Sequence, residues 1–182
     1  SMEALFFGSY EHQIDDKGRF RIPAKFKKGL DSYPEKTYSF VRGLSGSICL
    51  FPDSVLEETL SSLADERVSE ASPVSLMVFS SIYPAEEDGQ GRVTLPAKLK
   101  QIAGIKKDIV TVGRGRRLEI WAAEKYREVT ENVDYDAELK KLGDEYAFVK
   151  NDYEADMNAK TKEIRNLEAE LDKLEHTKIR IS

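Results

Sequence analysis

Apolar and polar side chains alternate over the first ordered-looking stretch of the chain. Tyr10, His12 and Ile14 fall on one face, with Ser9, Glu11 and Gln13 on the other; period two predicts a strand. A polar turn, residues 15–18, comes next. Arg19 to Ile22 alternates again, with Phe20 and Ile22 opposed to Arg19 and Arg21, so the pattern predicts a hairpin with a basic tip. Pro23 suits the first turn of a short helix, and Gly29 suits the position just past its end. The stretch TYSFVRGLSGSICLF predicts two strands about a glycine-containing turn. After Pro52, Ser54 and Glu57 have capping-box spacing. The following helix turns Val55, Leu56, Thr59, Leu60 and Leu63 to one side.

The chain then spells the same pattern again. DDKGRFRIPAKFKKG, from Asp15, aligns with DGQGRVTLPAKLKQI, from Asp88. Asp15, Gly18, Arg19, Pro23, Ala24, Lys25 and Lys27 match Asp88, Gly91, Arg92, Pro96, Ala97, Lys98 and Lys100. Phe20, Ile22 and Phe26 become Val93, Leu95 and Leu99. SLMVFSSIYPAEEDGQGRVTL predicts strand, turn, strand; IVTVGRGRRLEIW predicts the second strand pair and AAEKYREVTENV the closing helix. Each half is ββαββα in order, with residues 63–73 as the link. An internal repeat of this length governs the whole fold.

From Asp134 the pattern changes. Leu139, Leu142, Tyr146, Val149 and Tyr153 keep a 3-4 spacing; Met157, Lys160, Ile164, Leu167, Leu171 and Leu174 resume it one position out of phase. That step is a four-residue stutter in a heptad seam. A helix of roughly 40 residues would be about 60 Å long. Because a lone amphipathic helix cannot bury its stripe, a coiled coil or helical hairpin is expected over a single solvated helix.

Charge sharpens the division. The chain has 182 residues and a net charge of −5, which excludes a generic polyanion binder. Residues 134–182 carry 13 Asp/Glu against 9 Lys/Arg, whereas the two repeat cores are basic: residues 15–30 hold six Lys/Arg and two Asp, residues 88–107 five and one. Cys49 is the only cysteine, so no internal disulfide is possible. Its apolar surroundings predict an inert buried thiol. No apolar run is long enough to span a bilayer. The amino end, SMEALFFG, lacks the features of a signal peptide, and a cytoplasmic protein is expected.

Catalysis finds no foothold. His12 and His176 are the only histidines, and neither has an acid–base or metal-ligand neighbour in the sequence. GRGRR and GQGR lack phosphate-loop spacing. No enzyme activity, cofactor or metal is expected. The candidate chemistry lies at the two turns, each spaced D-x-x-x-R: Asp15 to Arg19 and Asp88 to Arg92. Two readings are open. The carboxylate either pins the turn through a weak surface ion pair, or orients the arginine so that its planar fork meets phosphate or guanine. Lys17 and Arg21 extend the first patch. Lys98, Lys100 and the run Arg114, Arg116, Arg117 are candidates to extend the second.

The doubled DxxGR…PAK pattern and the VGRGRRLEIW strand pair, in this order over about residues 2–133, resemble the MraZ family of bacterial proteins. The resemblance implies an α+β fold: a swapped-hairpin β-barrel of the SpoVT/AbrB type, built from two pseudosymmetric repeats (residues 2–68 and 74–133), followed by a helical, coiled-coil-like extension (134–182). It implies a homo-oligomeric ring larger than a dimer. It also implies a nucleoid-associated transcriptional regulator, usually a repressor, that binds direct repeats in double-stranded DNA upstream of the division and cell-wall gene cluster. Carried onto this chain, the DNA-binding positions are Asp15, Lys17, Arg19, Arg21, Asp88, Gln90 and Arg92. The extension is longer than the usual family end. An interaction scaffold recruiting a protein partner through that helix is the alternative; an antitoxin-like regulator is another.

Overall fold

The computed structural model describes residues 5–65, 67 and 72–181. Residues 66 and 68–71 of the expected link, and the first four residues of the chain, lie outside the described residues. The chain divides into two compact units, Ser1–Glu131 and Asn132–Ser182.

The first unit is α+β. In chain order it contains β1 (Phe6–Gln13), β2 (Arg19–Phe20), α1 (Ala24–Asp31), β3 (Tyr38–Arg42), β4 (Ile48–Pro52) and α2 (Asp53–Leu60). The second repeat supplies α3 (Pro73–Ser80), β5 (Tyr83–Pro84), β6 (Val93–Thr94), α4 (Ala97–Ile102), β7 (Asp108–Gly115), β8 (Leu118–Ala122) and α5 (Ala123–Glu131). Six strands form one antiparallel sheet in the order β1-β7-β8-β4-β3-β5, and β2 pairs with β6 in a separate ribbon. The six-stranded order is open at β1 and β5 among the described residues.

The two repeats exchange strands. β1 of the first lies along β7 of the second for its full length, from Phe6 opposite Gly115 to Gln13 opposite Asp108. β5 of the second lies on β3 of the first. Where the repeats meet, one residue pair in each ladder joins exact counterparts: Phe20 is opposite Val93 in the ribbon, and Cys49 is opposite Glu119 where β4 meets β8. The second strand pair of each repeat forms as expected, β3 with β4 and β7 with β8; the D-x-x-x-R turns are present too, but the strands flanking them do not pair as local hairpins. Gly18 N–H donates to the Asp15 carbonyl at 2.9 Å, and Asp15 N–H to the Arg19 carbonyl at 2.9 Å; Gly91 and Asp88 do the same at 3.0 and 2.8 Å. Beyond each turn the strands part and find partners in the other repeat. Alternation shows which face of a strand is apolar, not which strand it pairs with.

One core binds both repeats. Phe20, Ile22 and Phe26 and their counterparts Val93, Leu95 and Leu99 are all buried in a single cluster with Phe6, Phe40, Ile48, Leu50, Ile109 and Ile120. Tyr10 and His12 add edge-on ring contacts to Phe26 and Phe20, at 5.2 and 5.6 Å between centroids. Cys49 is buried, and loss of hydration pushes its thiol up to about 11.

Three local expectations are corrected. Gly29 lies inside α1, not past its end. A Cβ there would come within 2.6 Å of the Phe6 ring, so the glycine serves close packing of β1 on α1. Ser54 makes no side-chain cap to α2; its N–H donates to Glu35 Oε1 at 3.0 Å, from a loop the capping-box spacing does not include. Ser75 to Phe79, expected as a strand, are helical. Ser72 accepts from Val74 N–H at 3.2 Å and Pro73 opens the helix. These start signals outweigh the strand-like apolar run.

The second unit is one continuous helix, α6 (Tyr135–Ile181), of 47 residues; the helical hairpin is not formed. Its apolar seam is exposed, with Leu139, Tyr146, Leu167 and Leu171 all more than half open to solvent. No helix of the described residues is long and apolar enough to cross a membrane.

Candidate nucleic-acid interface

Each D-x-x-x-R turn is a closed cage of hydrogen bonds around one carboxylate. Asp15 Oδ1 accepts from Lys17 N–H at 3.0 Å and Arg19 N–H at 2.9 Å, and its Oδ2 accepts from Arg19 Nε at 2.7 Å. Asp88 repeats this with Gln90 N–H and Arg92 N–H, both at 2.9 Å, and Arg92 Nε at 2.9 Å. The tight turn needs a left-handed residue before the arginine, and Gly18 and Gly91 supply it with φ of 77° and 75°. Both carboxyls are held below their ordinary value, chiefly by the backbone N–H of the arginine. The side-chain bond and the N–H two residues on add to this, and loss of hydration opposes it.

The ribbon brings the two cages together. Arg19 pairs with Thr94 and Phe20 with Val93, and Leu95 N–H donates to the Gly18 carbonyl at 2.9 Å. Arg21 Nε donates to the Gln90 carbonyl at 3.2 Å, and Arg92 Nη1 lies 3.9 Å from Asp15 Oδ2. Asp15, Lys17, Arg19, Arg21, Asp88, Gln90 and Arg92 thus form one constellation, although Arg21 and Gln90 are 69 residues apart. Arg19 and Arg92 are about one-quarter exposed, at 28% and 23%. They border an open depression of about 540 Å³ that His12 and Lys107 also line. His12 shares a 2.7 Å hydrogen bond with Thr111 Oγ1, and burial lowers its pKa.

The expected extensions divide. Lys100 runs its stem beside Gly18, so a second-repeat lysine borders the first turn. The arginine run is committed elsewhere. Arg114 and Arg117 close on buried Glu119 at 3.0 and 2.8 Å, and Arg116 pairs with Glu58 at 2.9 Å. Glu119 also accepts from Trp121 Nε1 at 3.1 Å. Lys27 is tied to Asp31 at 2.7 Å and Glu87 at 3.0 Å. Lys107 was missed by pattern alone. The Lys106–Lys107 pair was its only signal, and it reaches the depression because Lys107 accepts Ile14 N–H through its carbonyl at 3.0 Å.

A family model described as "MraZ protein, putative antitoxin-like" matches residues 78–142. A protein named transcriptional regulator MraZ from Syntrophomonas wolfei is 38% identical over 134 residues, covering 71% of this chain and 89% of its own. Its namesake from Clostridium beijerinckii is 37% identical over 144 residues, covering 77% and 98%. The chain belongs to the MraZ family. A further MraZ relative, from Symbiobacterium thermophilum, is 38% identical over 140 residues, covering 75% of this chain and 99% of itself. These MraZ proteins are thus aligned over almost their full lengths, while part of the present chain extends beyond each alignment. The family's namesakes are named as regulators of transcription, not as enzymes.

Proposed function

We propose that this chain is a sequence-specific DNA-binding transcriptional regulator. It acts as a repressor at direct repeats upstream of the division and cell-wall gene cluster, in the cytoplasm on the nucleoid. The convergence of two aspartate-held arginines on one edge of the fold carries the reading. With Nε held by a carboxylate, the terminal nitrogens of Arg19 and Arg92 carry the donors for a bidentate contact to guanine O6 and N7 or to phosphate. Lys17, Arg21 and Gln90 flank them, and Lys107 adds charge toward the backbone. In this reading the exchanged strands belong to a swapped-hairpin barrel of the SpoVT/AbrB type, and copies assemble into a ring. A ring presents many such tips, so modest contacts on adjacent repeats gain through effective concentration.

Operator binding by Arg19→Ala, Arg92→Ala and the double variant, titrated with salt, tests this. A bidentate guanine contact carries roughly 1–3 kcal/mol of discrimination. Loss of a phosphate contact removes about one unit of salt slope. The double variant should remain folded and lose operator binding almost completely. A folded double variant that binds operator DNA as tightly as the parent overturns the assignment.

A further inference from the structure

We propose that the exposed seam of α6 is a docking surface for an amphipathic helix of another protein, one whose seam is flanked by lysine or arginine. α6 is continuous across the stutter, so the edges of its seam can be read directly. Where Ile164, Leu167, Leu171 and Leu174 form the stripe, Glu163 and Glu170 flank one side and Glu168 and Glu175 the other. Before the stutter, Glu138 and Glu145 hold the equivalent edge. From residue 138 to residue 175 Lys150 is the one base at an edge position; the other lysines of the helix lie on its outer face or in the seam itself. Leu167, Leu171 and Leu174 are 58–67% exposed, and such a stripe on a lone helix calls for a cover.

The edges decide which cover fits. In a parallel pair of copies, each leading edge residue meets the trailing edge residue of the next heptad. Glu163 would face Glu168 of the second copy, and Glu170 would face Glu175. An antiparallel pair sets like edge against like edge, again carboxylate on carboxylate. Edge charges set partner choice in coiled coils, and repulsion against the wrong partner is as effective as attraction to the right one. A helix with basic edges turns all four contacts favourable. This surface lies apart from the proposed DNA contacts in sequence, and the inference does not depend on them.

The test uses the full-length chain and three fluorescent peptides. One has Ile and Leu at its seam and Lys at both edges; the second has Glu at the edges; the third has the composition of the first in scrambled order. Four edge contacts, each a factor of about two, multiply to roughly sixteenfold. The Lys-edged peptide should bind at least about tenfold more tightly than either other peptide, and less tightly in high salt. Leu167→Asp with Leu171→Asp should abolish binding without changing helicity. Glu163→Lys, Glu168→Lys, Glu170→Lys and Glu175→Lys together should reverse the preference to the Glu-edged peptide. Equal binding of the ordered and scrambled peptides, or no reversal, overturns the proposal. So does tail-to-tail disulfide formation by full-length Leu171→Cys in the resting protein, because a second copy would then hold the seam. Operator binding, measured alongside, reports on the DNA reading separately.

Discussion

Gly29→Ala sets two calculable effects against each other. Inside a helix, alanine is favoured over glycine by about 0.5–1 kcal/mol. Position 29 is in α1, so propensity alone makes the variant more stable. Packing says the opposite. The new methyl would sit 2.6 Å from Phe6 Cε1 and 3.3 Å from two further ring atoms. Phe6 is only 4% exposed and is already edge-on to Phe26 at 6.3 Å, so its ring has little room to turn. Forcing one extra carbon into such a site costs about 1–3 kcal/mol. The clash wins, and the net change is a loss of roughly 1–2 kcal/mol. Urea denaturation followed by circular dichroism reads it as a lower midpoint at unchanged slope. In a Phe6→Leu background the cost should shrink or change sign, giving a coupling of at least about 0.5 kcal/mol between the two positions. A Gly29→Ala protein that gains about 0.5–1 kcal/mol in the parent background, the propensity term alone, would refute the close packing of β1 on α1.

Two further outcomes follow from the same geometry. Glu119→Ala strips Trp121 Nε1 of its acceptor and Arg117 of its buried partner; it should cost about 2–3 kcal/mol in urea denaturation, whereas Glu119→Gln, which keeps an acceptor, should cost less. Asp15 and Asp88 have folded pKa values depressed below the ordinary 3.8, so what their cages add to stability is present above that pH and is lost as pH falls through the lower folded values. The amide resonances of Lys17, Arg19, Gln90 and Arg92 should therefore titrate with midpoints below 3.8; midpoints at or above it would mean that the cages do not form in solution.

The cages were legible in the sequence because they are local: a carboxylate four residues before an arginine, with glycine between, can close on itself without help. The core was legible for a related reason. Phe20, Ile22 and Phe26 recur as Val93, Leu95 and Leu99, and both sets are buried together. What was not legible depends on distant partners. β1 finds β7 and β2 finds β6, and nothing in a period-two pattern names the partner strand. Without that pairing, Arg21 and Gln90 could not be placed in contact, nor Lys107 in the depression. The arginine run reads as an extension of the basic patch because a charge pattern does not say which pairs close: Glu119 stands only two residues after Arg117 in the chain, whereas Glu58 meets Arg116 only in the folded chain. α3 was misread because a short apolar run serves strand or helix equally well, and the decision rests on Ser72 and Pro73.

The exchange of strands between the repeats has a consequence for divergence. Two unlinked half-length chains could satisfy the same pairings only as an obligate dimer of identical partners, and every substitution in one turn would appear in the other. Joined in one polypeptide, the halves are free to differ while each still completes its neighbour's sheet. The two turns have already parted, with Lys17 in one where Gln90 stands in the other, and with β1 eight residues long where β5 has two. A symmetric pair of identical tips can match only a symmetric target. Covalent linkage lifts that restriction, so this molecule can present two different faces to one binding partner at a fixed spacing and in a defined direction.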